Sequence, residues 1–473
     1  MTKFPRTFWV ANTIELFERW AWYGFFMLFA NYLTRSTDLG GLGFSQSQKG
    51  TLMGVGTGIL YFLPVITGAI SDRYGYKKVL TIAFCIYASA FILMPQFSTY
   101  ASVFLVYIYL ALGAALFKPI ISATIAKTTN ESNSSIGFGI FYMMVNIGAF
   151  IGPMVTLIFK ESSNLIFYIS SGIISLNFIM LLFYKEPGRE DMNSKVKEPL
   201  MKTLGTIFKN MFSIFHDPKF LVFLIIVAGF WTMYNQLFFT LPVFITQWVD
   251  TSSIYNFFAA NAPFFSENYS PKPGVMDAEF ITNVDALYII VFQIVVSSIV
   301  MRLKPLRAMM SGFLVCSIGM ALTLFTQNVL FTILAILIFS LGEMAGSPKI
   351  TEYIGQIASP DKKALYMGYS FIPVFIGNVL AGFISGGVYQ AMSDKVALAE
   401  RFASEHGVQI QEGLSSNEYF LQLAQSQNLS ETEMTNLLWN TYNPSSIWLV
   451  ILGIGLVATL ALFIYDKAVN KKS

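Results

Sequence analysis

Glu15-Leu16-Phe17-Glu18-Arg19-Trp20-Ala21-Trp22-Tyr23-Gly24 lies in the first long apolar run of the chain. It sets two carboxylates and a guanidinium inside a stretch that otherwise reads as a membrane-spanning helix. An ionisable side chain in hydrocarbon costs roughly 2.5–3.5 kcal/mol on insertion scales, so such groups face a bundle interior or a water-filled path. Glu15, Glu18 and Arg19 stand at i, i+3 and i+4 and share one helical face. Glu15 can pair with Arg19 across one turn, carboxylate N-terminal to cation. That leaves Glu18 beside them with no cation of its own, and able to exchange a proton. The alternative is a cluster that only pins helices together.

Composition places the whole chain in the same class as this stretch. Of 473 residues, 55% are hydrophobic, 16% aromatic and only 12% charged. A soluble domain carries about twice that charge fraction. The expected class is an all-α polytopic membrane protein embedded in a lipid bilayer. A net charge of +3 suggests no nucleic-acid partner. Cys85 and Cys316 both sit in apolar runs, so neither a disulfide framework nor a metal site is implied. His216 and His406 lie outside those runs, so intramembrane proton chemistry must use carboxylates. The N-terminus shows no cleavable signal peptide.

Apolar runs of about 20 residues each fall near 10–33, 50–71, 78–96, 99–126, 136–159, 164–184, 220–248, 283–301, 306–326, 328–356, 364–391 and 444–466. Six precede a basic linker and six follow it. This predicts a six-helix bundle over 1–184, a cytoplasmic linker over 185–219 and a second six-helix bundle over 220–473. With the N-terminus inside, 21 lysines and arginines fall in inner segments and 6, Lys49 among them, in outer ones. The bias puts both termini in the cytoplasm of a cell (inner) membrane. In the linker, Leu204, Ile207, Phe208, Met211 and Phe215 recur at helical spacing, which predicts a helix lying on the inner membrane surface. A long acidic outer insertion at about 393–443 carries two capping-box patterns, Ser415 with Glu418 and Ser430 with Glu433. It is expected to fold as a helical hairpin over the outer mouth.

Gly68-x-x-x-Asp72-Arg73-x-Gly75-x-Lys77-Lys78, between the second and third runs, resembles the signature loop of the major facilitator superfamily. That resemblance implies the major facilitator fold, with twelve helices in two bundles around a site near the bilayer midplane. Further motifs resemble one branch, the proton-dependent oligopeptide transporters. They are Glu15-x-x-Glu18-Arg19-x-x-x-Tyr23-Gly24, Gly113 to Pro119 with an intramembrane Lys118, and Gly139 to Gly148 with Asn146. Phe230-Trp231 with Gln236, Gly342-Glu343 with Ser347-Pro348, and Met367-Gly368 with Gly377-Asn378 continue the series.

The residues themselves support a coupling role. Lys118 is a lone cation in an apolar helix, and Glu15 and Glu18 are its only plausible partners in the first half. A cation able to neutralise either a protein carboxylate or a substrate carboxylate couples protonation to binding. A purely structural lysine is the alternative. Pro119 and Pro348 each remove a helical hydrogen bond, freeing the carbonyls of Ala115 and Met344, and either could serve as a gating hinge. Lys349 and Glu352 read as a local pair or inner gate.

The resemblance implies that Glu343 meets a substrate amino terminus, with Asn146 bonding nearby and Lys118 reading the carboxylate. It assigns the pocket to Tyr23, Phe26, Lys118, Asn146, Trp231, Asn235, Gln236, Asp285, Glu343, Ser347 and Ser370. The chain departs from the branch at several of these. Phe26 and Asn235 stand where an arginine and its acidic partner are usual, and Ser370 where a tryptophan is. Asp285 adds a carboxylate that either lines the cavity or caps a helix.

The expectation is a proton-coupled symporter, active as a monomer, importing di- or tripeptides or peptide-like small molecules by alternating access. Protons are its only coupling partner and no cofactor is needed. The alternative is a proton-linked exporter or antiporter of amphipathic or amine-bearing solutes. An enzyme is the weakest reading, because no metal-ligand cluster or nucleophile–base spacing stands out.

Overall fold

The computed structural model describes residues 4–130, 133–159, 163–187, 217–324, 326–358 and 363–470, with a few positions between 201 and 209. The expected linker helix over Leu204, Ile207, Phe208, Met211 and Phe215 lies outside the described residues. What is described is helical almost throughout. Backbone groups inside a bilayer have no water to bond, and a helix satisfies them within one segment.

Each expected apolar run coincides with helix. Among the described residues nine helices are long and apolar enough to cross a membrane. A tenth span is the pair Gln46–Phe62 and Pro64–Tyr74, bent by 42°. The Arg6–Thr34 helix, 29 residues long, holds the charged cluster, and Pro305–Ala321 is a shorter apolar helix of 17 residues. The 220–248 run is divided into Pro218–Tyr234, Gln236–Phe239 and Leu241–Trp248. Pro242, near the start of the last piece, has no N–H to donate to the piece before it. One π-type turn, Ile384–Val388, interrupts the eleventh run.

The outer insertion forms three helices, Lys395–Glu405, Ser416–Ser426 and Glu431–Tyr442, where a two-helix hairpin was expected. Both capping boxes form as the spacing predicts. Two short helices, Ser252–Asn261 and Pro263–Asn268, were not anticipated.

The chain packs as two compact units. One comprises Met1–Phe25, Gly56–Ile225 and Ile354–Phe375; the other comprises Phe26–Val55, Ile226–Tyr353 and Ile376–Ser473. Glycines set the helix contacts inside each. In the first unit, a Cβ on Gly148 would lie 2.7 Å from the Cβ of Arg19, and one on Gly152 2.8 Å from the nitrogen of Gly24. In the second, a Cβ on Gly312 would lie 2.5 Å from the Cα of Gly346, and one on Gly54 2.9 Å from the Cα of Gly382. Backbones approach this closely only where a side chain is missing, the common basis of helix association in lipid.

Candidate functional site: buried charge in each unit

In the first unit the Arg6–Thr34 helix is held against the Ser134–Ile158 helix through Gly148 and Gly152, which fixes Arg19 at the contact. Its guanidinium is a fork with donors in two directions. Nε lies 3.0 Å from Oε1 of Glu15, and Nη2 lies 2.5 Å from Oε2 of Glu18. All three residues are buried. The expectation that Glu18 has no cation of its own is therefore corrected: one guanidinium serves both carboxylates, and Glu18 is the nearer. A helical wheel shows which face residues share, but not the reach of a flexible fork to its own neighbour.

Glu18 also accepts a hydrogen bond from the hydroxyl of Tyr87, at 2.7 Å. Tyr87 sits on the Tyr76–Leu93 helix, wholly buried, in a slot that exists because the facing residue is Gly113. A Cβ there would lie 3.2 Å from the ring.

Lys118, on the Tyr100–Thr128 helix, forms no ion pair with Glu15 or Glu18. Its Nζ lies 3.9 Å from the centroid of the Tyr61 ring, a cation–π contact. The expected partners are already taken by Arg19, which leaves the lysine on an aromatic face. The helix runs unbroken through Pro119. The Ala115 carbonyl that Pro119 frees accepts the hydroxyl of Thr67 at 2.6 Å. Asn146 donates to the carbonyl of Tyr142 on its own helix at 2.8 Å.

The second unit holds a different cluster. Glu343, on the Val329–Ile357 helix, is buried and accepts the hydroxyl of Tyr234 at 2.8 Å. Its Oε2 is shut away from solvent without a hydrogen-bond partner, as is Nε1 of Trp231, one turn before Tyr234. The rings of Trp231 and Tyr234 meet edge-on at 4.9 Å. Asp285 is also buried, and its Oδ1 lies 2.5 Å from the hydroxyl oxygen of Ser340, three residues before Glu343. Asn283, not Asp285, stands at the helix N-cap, so the capping alternative for Asp285 is corrected. Among the described residues no ion pair joins a cation to either carboxyl.

The other expected pocket residues divide. Phe26 packs at 6.0 Å and 6.2 Å from the rings of Phe238 and Phe239. Asn235 donates to the carbonyl of Trp231 at 2.8 Å. Gln236 is wholly buried, donates to the carbonyls of Thr232 and Ala381, and accepts from Thr240. Its amide joins helices and is not free to read a ligand. Ser370 bonds the carbonyl of Met367, while Tyr23 and Ser347 are each half-buried. Lys349 and Glu352 pair at 2.7 Å, while Pro348 sits inside a continuous helix.

Sequence reasoning missed several partners. Tyr61, Tyr87, Tyr234 and Ser340 were hidden among many tyrosines and serines; a lone hydroxyl in an otherwise apolar stretch is the signal that marks them. Lys49, counted as an outer-segment charge, is wholly buried, and its Nζ donates to the carbonyl of Phe239 at 2.9 Å. The helix begins at Gln46, which carries Lys49 inside.

Membrane-length helices and buried ion clusters among the described residues define a multi-pass membrane protein. Residues 13–262 match the family model of the Major Facilitator Superfamily, and the chain belongs to that superfamily. It is 24% identical to an uncharacterized MFS-type transporter, YqjV, of Bacillus subtilis, over 73% of this chain and 78% of that one. Similarity at 22% extends over 80% of the chain and 86% of the multidrug resistance protein MdtH of Proteus mirabilis. A di-/tripeptide transporter of Lactococcus lactis is 23% identical over 43% of this chain and 44% of its own length. Among solved structures, a POT family transporter in complex with 5-aminolevulinic acid superimposes with a TM-score of 0.67 at 16% identity, over 93% of this chain and 97% of that one. The nucleoside transporter NupG gives 0.70 at 14%, over 97% and 99%. These likenesses show the shared fold.

Proposed function

We propose that this chain is an atypical member of the proton-dependent oligopeptide transporter branch. It imports di- or tripeptides, or peptide-like small molecules, with protons by alternating access, as a monomer with both termini in the cytoplasm. The observation that carries this reading is the buried fork of Arg19 between Glu15 and Glu18, beside a Lys118 with neither carboxylate as its ion-pair partner. When a proton neutralises one carboxylate, the balance of charge in the first unit changes, and a substrate carboxylate on Lys118 restores it. Glu343, with one oxygen unpaired, suits an ammonium group. Pro119 and Pro348 act as hinges, and the Lys349–Glu352 pair as an inner gate. Phe26, Asn235 and Ser370 alter the rest of the pocket, so the substrate is a peptide, a modified peptide or a more cationic, amine-bearing small molecule.

The test is uptake into proteoliposomes under an inward proton gradient. Glu18→Gln and Lys118→Ala should each abolish gradient-driven accumulation while leaving counterflow measurable. Full accumulation by both variants overturns the assignment.

A second reading, a proton-linked exporter or antiporter of amine-bearing solutes, is favoured by the two carboxyls Asp285 and Glu343 without a cation. It predicts proton uptake into vesicles as an amine leaves them, and net proton movement in the direction of the substrate excludes it.

A further inference from the structure

The Pro305–Ala321 and Ile447–Asn470 helices pack antiparallel in the second unit. The turn that follows the first, Leu322–Leu324, meets the turn that precedes the second, Pro444–Ser446. Gly455 lets the helices touch, since a Cβ there would lie 2.8 Å from the Cβ of Ser317. Beyond that contact a groove of about 480 Å³ opens between them. Ser311 and Leu314 form one wall, and Leu456, Thr459, Leu460 and Phe463 the other. Leu460 is 59% exposed, so the groove is open sideways. An apolar surface of this kind marks a site of contact with a partner or with lipid.

The walls suit an aliphatic chain. The hydroxyl of Ser311 donates to the carbonyl of Ala308 at 2.9 Å, and that of Thr459 to the carbonyl of Gly455 at 2.8 Å. Both hydroxyl protons are thus held by the helix backbone, and a polar solute would be left without donors. The lining itself carries no charge.

Charge gathers at one end. Lys467 lies one turn after Phe463, and its Nζ sits 4.3 Å from the centroid of that ring. Arg307 stands one turn before Ser311, on the same face of its helix. Ser317 faces Gly455, so ten residues back along one helix brings Arg307 level with Tyr465, ten residues on along the other. Arg307 and Lys467 are exposed, and among the described residues neither joins an ion pair. The neighbouring Asp466 interacts with Tyr353, which is not part of the groove. From Leu456 to Lys467 the helix rises about 16 Å. One leaflet of a hydrocarbon core roughly 30 Å thick has about that depth.

We propose that this groove is a binding site for one anionic phospholipid. An acyl chain lies along Leu456, Leu460 and Phe463, and the headgroup phosphate rests between Arg307 and Lys467. Two cations without a carboxylate complement a headgroup of net negative charge, and a choline headgroup would add a third cation beside them. The orientation proposed above puts this end of the groove at the cytoplasmic leaflet. The site is separate from the buried charges of either unit, and it does not require the transport reading.

Native mass spectrometry of the full chain tests the site without any flux, in micelles holding equal amounts of dioleoyl-phosphatidylglycerol and dioleoyl-phosphatidylcholine. The wild type should retain phosphatidylglycerol in preference. Arg307→Gln and Lys467→Gln should each lower that preference about fivefold, the attraction of one basic residue to an anionic lipid. Lys219→Gln, an exposed cation at the start of the Pro218–Tyr234 helix, should leave it unchanged. Leu460→Trp fills the groove with both charges in place and should also lower phosphatidylglycerol retention. All four side chains are exposed, so the variants should fold. Equal retention of the two lipids by the wild type overturns the proposal. So does a preference that Lys219→Gln lowers as much as Arg307→Gln, or one that Leu460→Trp leaves intact.

Discussion

The hydroxyl of Tyr87 donates to Oε1 of Glu18 at 2.7 Å, so a residue of the third apolar run holds the carboxylate of the first. A hydrogen bond to a charged group contributes about 1.5–3 kcal/mol. Tyr87→Phe should cost roughly that much, read as a lower melting temperature of the detergent-solubilised protein. The ring's packing against Gly113 should persist. A variant as stable as the wild type would mean that water replaces the hydroxyl at no cost.

Arg19 serves two carboxylates at once, and its removal is a different matter. Arg19→Gln strands Glu15 and Glu18 as buried charges, a loss of about 3–5 kcal/mol. Acid should repair it, because protonating the stranded carboxyls removes the charge. The melting-temperature deficit against wild type should therefore shrink from alkaline to acidic pH. A deficit independent of pH would assign Arg19 a packing role.

Thr67 and Pro119 are coupled through the Ala115 carbonyl. With Pro119 in place, Thr67→Val leaves that carbonyl unpaired at a cost of about 1–3 kcal/mol. In a Pro119→Ala background, the backbone N–H restored at that position would bond the same carbonyl, so Thr67→Val should cost much less. A double-mutant cycle on thermal stability gives the coupling directly. Additive losses would show that the threonine does not compensate the proline.

The outer insertion should loosen in acid. Burial pushes the Asp38 carboxyl upward, but hydrogen bonds from Ser36, Asn417 and Ser415 outweigh it and hold it below the usual range. Glu433 is held low by the backbone N–H of Ser430 and then by its hydroxyl. A carboxyl depressed in the native state contributes stability above its unfolded value, and that contribution is lost as pH falls through the native one. Unfolded values are about 3.9 for Asp and 4.3 for Glu. Docking of Asn417 on Asp38, at 2.8 Å, should thus be intact at neutral pH and weaken below about pH 4. Rate-corrected hydrogen exchange over 416–442 measures it, and equal protection at both pH values would refute it.

Much of this was legible in the chain itself. Twelve apolar runs, two capping boxes and the clustered charges are local patterns, and helix in a bilayer follows from local hydrogen bonding. The extra helices over 252–268 were not legible, because that segment is neither long nor strictly periodic. The three-way sharing at Arg19 and the burial of Lys49 were misread for a related reason: charge counting assigns a residue to a side of the membrane, not to a partner.

The sequence by itself determined an all-helical membrane protein and the placement of ionisable groups within its apolar runs. Only the tertiary structure decided which hydroxyl meets which carboxyl: Tyr87 with Glu18, Tyr234 with Glu343, Ser340 with Asp285. It also set Tyr61 beneath Lys118. The reason is physical. A helix satisfies its own backbone within one segment, so its existence is encoded locally. A buried side-chain polar group must find its partner on another helix, and that depends on where glycines let two backbones meet.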